Sequence, residues 1–365
     1  MKILMIGFGK IYYMSYMHFY LDQLKRTDHE VHLIYWDRDG KQDVPVPGGV
    51  VAHKFEHHME DDAPKWRKLR AFWKYRRACL RLLDAERFDS VIVLTTMPGV
   101  VLADVLRKRY PHNYIFDYRD VTFENVGWFK RKVNDVARHS RATFVSSDAF
   151  RTYLTDESIH TSHNLLLDSL QHREVRRSAP RAAHPIRIRH WGLLGHEEIN
   201  RQIIERLGND PRFELHYHGR EQEAARNLKA KCEREAIRNV FFHGLYRPEE
   251  RYEFAKGTDL LHNIFTNDIK TQPAMANKFY DGITFYLPQL CNVGSYMGTQ
   301  VTRGGFGLEC DPAASTFADD LFSYYQSIPW AAFEANCDAR LDQVLKEYQQ
   351  GVAVIAEFLA GPAAV

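Results

Sequence analysis

Short apolar runs that stop at a glycine or a polar residue recur along this chain, and each gives way to a segment with helical spacing. "KILMI" (2–6) closes on Gly7 and Gly9, and "EVHLIYW" (30–36), "SVIVL" (90–94), "YIFD" (114–117) and "ATFV" (142–145) repeat the style. Runs this apolar belong to strands covered on both faces, the habit of parallel sheets. Helical patterns over roughly 13–26, 65–85, 99–110, 129–138 and 147–154 separate them. Strand and helix in alternation predict a doubly wound α/β domain.

"LQHREVRRSAPRAAHP" (170–185) interrupts the pattern with arginines, alanines, two prolines and no period, as a linker would. The alternation then restarts. Strands are expected at 186–192, 213–219, 239–244, 259–265 and 289–293, and helices at 196–207, 223–236 and 248–257 and after Pro273. A helical pattern over about 338–360 ends the chain. The expected organisation is an N-terminal Rossmann-like domain over 1–170, a linker over 171–185, a second Rossmann-like domain over 186–337, and a segment over 338–365 whose helix crosses back toward the first domain. Two such sheets facing across a cleft would bind ligands at their carboxyl edges.

Composition narrows the function classes. With 49 basic and 47 acidic residues the chain is no general nucleic-acid binder, and any basic surface is local. Five scattered cysteines without a CxxC pair predict reduced thiols and a cytoplasmic protein. The N-terminal apolar run is too short for a signal peptide, and no stretch reaches the ~18 apolar residues of a membrane helix. A protein of the cytoplasm, at most peripheral on the inner face of the membrane, is expected.

Several stretches carry chemistry. "GFGK" (7–10) follows the first strand, but Tyr12 stands where a dinucleotide fingerprint needs glycine or alanine, so Gly9 and Lys10 are expected to line a second substrate's site. "FDYRDVTFEN" (116–125) gathers Asp117, Arg119, Asp120 and Glu124 at a strand end, either as a structural ion network or to position an acceptor, with Asp120 as a catalytic candidate. In "SSDAF" (146–150), Ser147 or Asp148 is expected to cap the next helix, and Ser147 is an acceptor-binding candidate.

"KWRKLRAFWKYRRACLRLL" (65–83) holds eight basic residues and no acidic one between Lys65 and Arg81. Its aromatic flank predicts a helix lying on an anionic membrane surface through Trp66, Arg67, Arg70, Trp73 and Arg77; a core-packed helix with a solvated basic face is the alternative. "HYHGRE" (216–221) offers Arg220 as a phosphate clamp, with a structural salt bridge as the alternative, and "GLLGHEEINRQII" (192–204) offers Gly195, Asn200 and Arg201 near a helix mouth.

"PAMANKFYDGITFYLPQL" (273–290) is the strongest of these signals. A small-residue loop enters Asn277 as a prospective N-cap, so free N–H groups and Lys278 would favour a diphosphate. Asp281, one turn on, shares the Lys278 face and could accept from both ribose hydroxyls. The alternative is an ordinary surface ion pair.

Across these motifs, above all "HWGLLGHEEINRQII", "FELHYHGRE", "NVFFHGLY", "EFAKGTDLLHNIF", "NKFYDGITFYLPQL" and "GFGLECDP", the sequence resembles the GT-B glycosyltransferases, most of all the retaining family 4-like enzymes of bacterial capsule and exopolysaccharide synthesis. The resemblance implies a nucleotide-sugar donor, UDP or GDP type, in the second domain and a glycan or lipid-linked acceptor in the first. It implies no metal or other cofactor. Asp281 becomes the ribose ligand; the 274–278 backbone, Lys278 and Arg220 become catalytic or diphosphate groups; Asn263 and Gly195 join the donor site. The sequence departs from the pattern twice. Pro273 stands where a sugar-contacting glutamate is usual, which leaves Asn263, Asp268 and Glu198 as candidates for that contact. "LLGHEE" replaces the usual Arg…Lys pair, passing the positive charge to Arg201, Arg220 and Lys278. "DRD" (37–39) is expected to be a loop, not a metal site. Related epimerase chemistry and a catalytically silent binding protein are the rival functions.

Overall fold

The computed structural model describes residues 1–41, 43–60, 63–155, 158–173, 185–247 and 249–361. The chain divides into two units, one formed by Met1–His163 with Lys346–Val365, the other by Asn164–Leu345.

The first unit holds a seven-stranded, all-parallel sheet. Its strands are β1 (Lys2–Ile6), β2 (Glu30–Asp37), β3 (Val50–Glu56), β4 (Ser90–Leu94), β5 (Tyr114–Tyr118), β6 (Ala142–Val145) and β7 (Ile159–Thr161), in the order β3-β2-β1-β4-β5-β6-β7. Its helices are α1 (His18–Leu24), α2 (Lys65–Ala85), α3 (Thr96–Val101), α4 (Ala103–Arg109) and α5 (Gly127–His139). The chain steps outward from β1 to β3 and then returns to β4, which makes the β1–β4 junction a topological switch point.

The second unit repeats the plan with six strands: β8 (Ile186–Trp191), β9 (Phe213–His218), β10 (Val240–Gly244), β11 (Leu260–Asn263), β12 (Gln289–Asn292) and β13 (Gly307–Cys310), in the order β10-β9-β8-β11-β12-β13. Here the switch falls between β8 and β11. Around the sheet lie α6 (Glu197–Leu207), α7 (Glu223–Arg234), α8 (Glu250–Lys256), α9 (Asn277–Thr284), α10 (Tyr296–Gly304) and α11 (Phe317–Ser327).

The last helix, α12 (Trp330–Leu359), serves both units. Phe333, Cys337, Leu341 and Val344 join the second unit's core, while Tyr348, Ile355, Phe358 and Leu359 join the first unit's. Within each set, steps of three, four or seven residues, apart from the adjacent Phe358 and Leu359, keep the contacts on one helix face. At Gly351 a Cβ would sit 2.8 Å from Phe19 Cζ and 3.3 Å from Phe144 Cε1, so a side chain there would have to push these rings aside.

Three strands lie outside the expected set. β3 and β13 are edge strands with partly exposed, mixed sequences, "VVAHKFE" and "GLEC", and β7 spans only three residues. An edge strand buries less and so carries a weaker apolar signature. The helix expected over 13–26 is two 3₁₀ turns followed by α1, and the one over 99–110 breaks at Leu102 into α3 and α4. The second unit begins before the expected linker: Leu165 belongs to its core, and Ser169 accepts from Arg251 at 3.0 Å. Most of that linker, 174–184, lies outside the described residues. α12 starts eight residues ahead of the expected 338, because Trp330 and Phe333 already pack on the second unit.

Candidate functional site

In the second unit the carboxyl ends of β8 and β11 lie side by side at the switch point. The loops that leave β8 and β9 there run back to back. A Cβ on Gly219 would fall 1.6 Å from the Gly192 carbonyl oxygen, and both glycines have positive φ, so no larger residue fits. Leu194 and Glu221 then bridge the two loops.

Three histidines gather at this edge. His190 is the penultimate residue of β8, His262 lies near the end of β11, and their rings are 5.1 Å apart. Asn200 fixes His262: its Nδ2 donates to the Gly195 and His196 carbonyls, so its Oδ1 accepts from His262 Nε2 at 3.0 Å, while the Ile264 N–H donates to His262 Nδ1 at 3.1 Å. His190 Nε2 donates to the Leu193 carbonyl at 3.3 Å, leaving Nδ1 as an acceptor. His196, at the left-handed N-cap of α6, pairs with Thr266 Oγ1 at 2.8 Å.

Lys278 reaches into this group from α9. Its Nζ lies 2.8 Å from His190 Nδ1 and 5.0 Å over the Phe265 ring, and the residue is only 7% exposed. Among the described residues Lys278 makes no ion pair. Burial therefore pushes its pKa down to about 7, with Asp281 at longer range offsetting part of the shift. Burial first, and Lys278 second, hold His190 and His262 well below the ordinary histidine range, and the same causes lower His196. The result is a buried cation surrounded by neutral imidazoles.

α9 points its first turn at the same place. Ala276, not Asn277, occupies the N-cap position, and it supplies no side-chain cap; Asn277 is the first helical residue. The chain bends into the helix one residue earlier than expected; the Phe279 N–H donates to the Ala276 carbonyl at 3.0 Å, and the N–H groups of Asn277 and Lys278 receive no side-chain cap from Ala276. Asp281 does not share Lys278's partners. Its Oδ2 accepts from Trp191 Nε1 at 2.9 Å and its Oδ1 lies 3.9 Å from Arg251. His190 and Trp191 are neighbours on one strand and point to opposite faces, so the one-turn spacing from Lys278 to Asp281 straddles the end of β8. Asp281, 6% exposed, organises Trp191 and Arg251 within the unit.

The other expected donor residues fall into two groups. Gly195 and Asn263 lie at the switch point. A Cβ at Gly195 would meet nothing within 4 Å. Asn263 is fully buried; it donates to Gln289 Oε1 at 2.8 Å, and its own Oδ1 meets no partner among the described residues. Arg220 follows Gly219 at the end of β9 and is half-buried. Arg201, in contrast, lies on the outer face of α6, where it binds Glu198 and Glu205 in surface ion pairs. Its i,i+3 and i,i+4 neighbours claim it, which occupies Arg201, expected at the anion site, and Glu198, expected as a sugar contact, in a surface network. Asp268 accepts from the Lys270 and Thr271 N–H groups and so closes its own turn. His190, His262, Trp191 and Arg251 were not anticipated. The available signal was a buried histidine at the penultimate position of two strands, "IRIRHW" and "LLHN".

In the first unit the expected acceptor residues also sit at the carboxyl edge, but their charges are matched. Lys10, 5% exposed, pairs with Asp39, lies 3.5 Å from Asp37, and donates to the Lys41 carbonyl at 2.7 Å. The "DRD" acids are thus the counter-charges of Lys10, with Asp37 closing β2. Arg119 Nε donates to Asp117 at 3.0 Å, another Arg119 nitrogen donates to Ser162 Oγ at 2.7 Å, and the guanidinium stacks on Tyr16 at 4.4 Å. Burial raises the Asp117 pKa, and Arg119 works against the shift. Asp120 is exposed at the loop that follows, and Gly9 has open space where a Cβ would stand. Ser147 takes the N-cap position of a 3₁₀ helix (Asp148–Tyr153) without a side-chain cap bond, and Asp148 turns instead to Arg151 and Thr161. The expected caps are thus unmade.

α2 matches its expected bounds but buries a different stripe. Ala71, Tyr75, Cys79 and Leu83 face the core, while Trp66, Leu69 and Trp73 are 60%, 67% and 55% exposed. Arg67 lies over the Trp66 ring and Arg77 over the Trp73 ring, at 5.4 and 4.7 Å, with Arg70 also exposed. No helix of the described residues is long and apolar enough to cross a membrane, and all five cysteines are buried and free.

In comparisons with known proteins, no family model and no curated protein matches the sequence. Solved structures do match. Sucrose-phosphate synthase from Thermosynechococcus elongatus aligns with a TM-score of 0.74 at 10% identity, over 99% of this chain and 100% of that one. HepE from Anabaena, in complex with UDP and glucose, gives 0.70 at 15% identity over 99% and 100%. WaaG, a glycosyltransferase involved in lipopolysaccharide biosynthesis, gives 0.64 at 13% identity over 97% and 99%. The chain has the GT-B fold. In this GT-B chain Lys278, buried and without an ion pair among the described residues, belongs to the second unit.

Proposed function

We propose that this protein is a retaining glycosyltransferase that moves a hexose from a UDP or GDP sugar to a glycan or lipid-linked glycan in cell-surface polysaccharide synthesis. The observation that carries the reading is Lys278: a buried lysine with no carboxylate partner among the described residues, at the uncapped mouth of α9 and at the switch point of its sheet. A diphosphate supplies the missing negative charge and raises the lysine pKa again. The fold is shared with HepE, solved with UDP and glucose, and with WaaG.

The barrier to glycosyl transfer is charge separation: the diphosphate leaves as the sugar becomes cationic. Lys278 and the first-turn amides of α9 offset the charge that develops on the leaving oxygen. With retention, that departing oxygen can itself take the acceptor hydroxyl's proton, so no strong protein base is required. Asp281 is the proposed ribose ligand; its carboxylate already anchors Trp191 and Arg251, so the ribose hydroxyls would share its remaining lone pairs. Asn263 Oδ1, buried and open, is the proposed contact for the sugar, and Arg220 for the diphosphate.

The acceptor is proposed to bind the first unit near Gly9, Lys10, Asp117, Arg119, Asp120 and Ser147. The exposed Trp66–Leu69–Trp73 stripe with its arginines suits an anionic membrane surface, and a groove of ≈ 700 Å³ lined by Arg107, Trp128, Lys130, Arg131 and Arg138 adds a second basic, aromatic surface. The proposed place of action is the inner face of the cytoplasmic membrane.

The test is nucleotide release. UDP-glucose and GDP-mannose are supplied with a lipid-linked glycan, and UDP or GDP is measured for the wild type, Lys278→Ala and Asp281→Ala. Loss of acceptor-dependent release and of donor affinity in both variants supports the reading. Unchanged donor affinity in both rejects the site, and donor turnover without acceptor points to isomerisation or hydrolysis.

A further inference from the structure

The sequence repeats one small motif at the same place in its two sheets. Glu30-Val31-His32 lies on β2, and Glu214-Leu215-His216 lies on β9, each the second strand of its unit. On the neighbouring third strand stands a further histidine, His53 on β3 and His243 on β10. The atoms match as well. His32 Nδ1 faces His53 Nε2 at 2.7 Å, and His32 Nε2 meets Glu30 Oε1 at 2.8 Å. His216 Nδ1 faces His243 Nε2 at 3.1 Å, and His216 Nε2 meets Glu214 Oε2 at 3.4 Å.

What completes each group differs. In the first unit it is a carboxylate: Glu86, which closes α2, places its Oε2 3.7 Å from His32 Nδ1. The ligand atoms of His32, His53 and Glu86 all lie within 4.8 Å of one another. In the second unit it is a cation: Arg189 lies 3.4 Å from His218 and is close enough to lower the pKa of His216 and His243, after burial.

We propose that His32 Nδ1, His53 Nε2 and the Glu86 carboxylate form a site for one divalent transition-metal ion of the zinc class, and that the His216–His243 pair does not. Two imidazoles and a carboxylate are a zinc-type donor set, with bonds of about 2.0–2.2 Å. Such bonds put neighbouring ligand atoms about 3.3–3.5 Å apart, so the 3.7 Å His32–Glu86 gap closes slightly and the 2.7 Å His32–His53 gap opens slightly. Glu30 sets the tautomer. It can only accept while ionised, so His32 carries its proton on Nε2 and turns the Nδ1 lone pair toward the other two ligands. That is how a carboxylate beyond the metal orients a ligating histidine.

In the metal-free protein His53 Nε2 donates its proton to that lone pair. Metal binding sends the proton to His53 Nδ1 or to solvent. Lys2 is the competing cation: its Nζ lies 2.6 Å from Glu86 and 3.2 Å from Glu30, and its side chain is 28% exposed, so it can swing into water as the dication arrives. The bound ion would tie β2, β3 and the end of α2 together. It lies away from the carboxyl edge and takes no part in the proposed transfer.

Untagged full-length protein is titrated with Zn²⁺ by calorimetry and with Co²⁺ by visible absorption. One equivalent is expected to bind. Affinity should fall at least 100-fold in His53→Ala and at least tenfold in Glu86→Gln, fall about 10–100-fold in Glu30→Gln, and stay within twofold in His243→Ala. Glu86→Gln is conservative and decides the matter if His53→Ala does not fold. Absence of binding at micromolar metal, binding indifferent to Glu86→Gln, or equal loss in His243→Ala would overturn the assignment.

Discussion

The two units carry the same sheet plan and each buries cations at its carboxyl edge, yet they treat those cations in opposite ways. In the first unit Lys10 is met by Asp37 and Asp39, and Arg119 by Asp117. In the second unit Lys278 meets a neutral histidine and the face of an aromatic ring. A buried charge with its partner is a finished structure. A buried charge without one is held at a cost, and the cost falls when an anion enters. On the proposed function, the contrast separates scaffold from receptor more sharply than the fold does, since both units have the fold.

Four substitutions break or sharpen that contrast. The largest effect is expected for Arg119→Met, which strands Asp117 in the interior. It should destabilise the first unit by about 3–5 kcal/mol, read by urea unfolding, while UDP-glucose affinity stays within about twofold. Lys278→Met should act with the opposite sign. Removing an unmatched buried charge should raise the melting temperature of the ligand-free protein by several degrees, at about 2–4 °C per kcal/mol, and weaken UDP-glucose binding about 10- to 100-fold, the worth of a hydrogen bond to a charged group. The gain must depend on pH. The lysine titrates near 7 in the folded protein and at about 10.4 unfolded, so the native state holds fewer protons between those values and its stability rises with pH there. The advantage of Lys278→Met should be full below about pH 7 and gone by about pH 10.

A smaller change, about 1–3 kcal/mol, is expected for Asp281→Asn, which weakens the anchor of Arg251 and Trp191, seen in the same unfolding assay. The smallest is expected for Arg201→Ala. Its ion pairs lie on the surface of α6, so stability should move by at most about 0.5 kcal/mol and donor affinity not at all.

The alternation of strands and helices was legible because buried parallel strands are apolar throughout, and the full-length α2 because its basic, aromatic pattern has clear ends. β3 and β13 were not, because an edge strand half in water has little pattern to show. At the site, Lys278 and the helix mouth could be found from local spacing. Its partners could not: His190 and Trp191 lie 88 and 90 residues away from Lys278 and Asp281 in sequence, and only the pairing of β8 with β11 brings them together. Arg201 misled for the converse reason, since its true partners were its helical neighbours. Asn277 misled because a good capping residue beside a helix start is not always the one at the cap.

Proton uptake on donor binding tests the central claim most directly. UDP-glucose has no group of its own that titrates near pH 7, so calorimetry at pH 7 in buffers of different ionisation enthalpy reports the protein's protons. With Lys278 at a pKa of about 7 in the free protein, binding should draw in about half a proton, and Lys278→Met should abolish that uptake. Binding without proton uptake, or uptake that survives in Lys278→Met, would contradict the account.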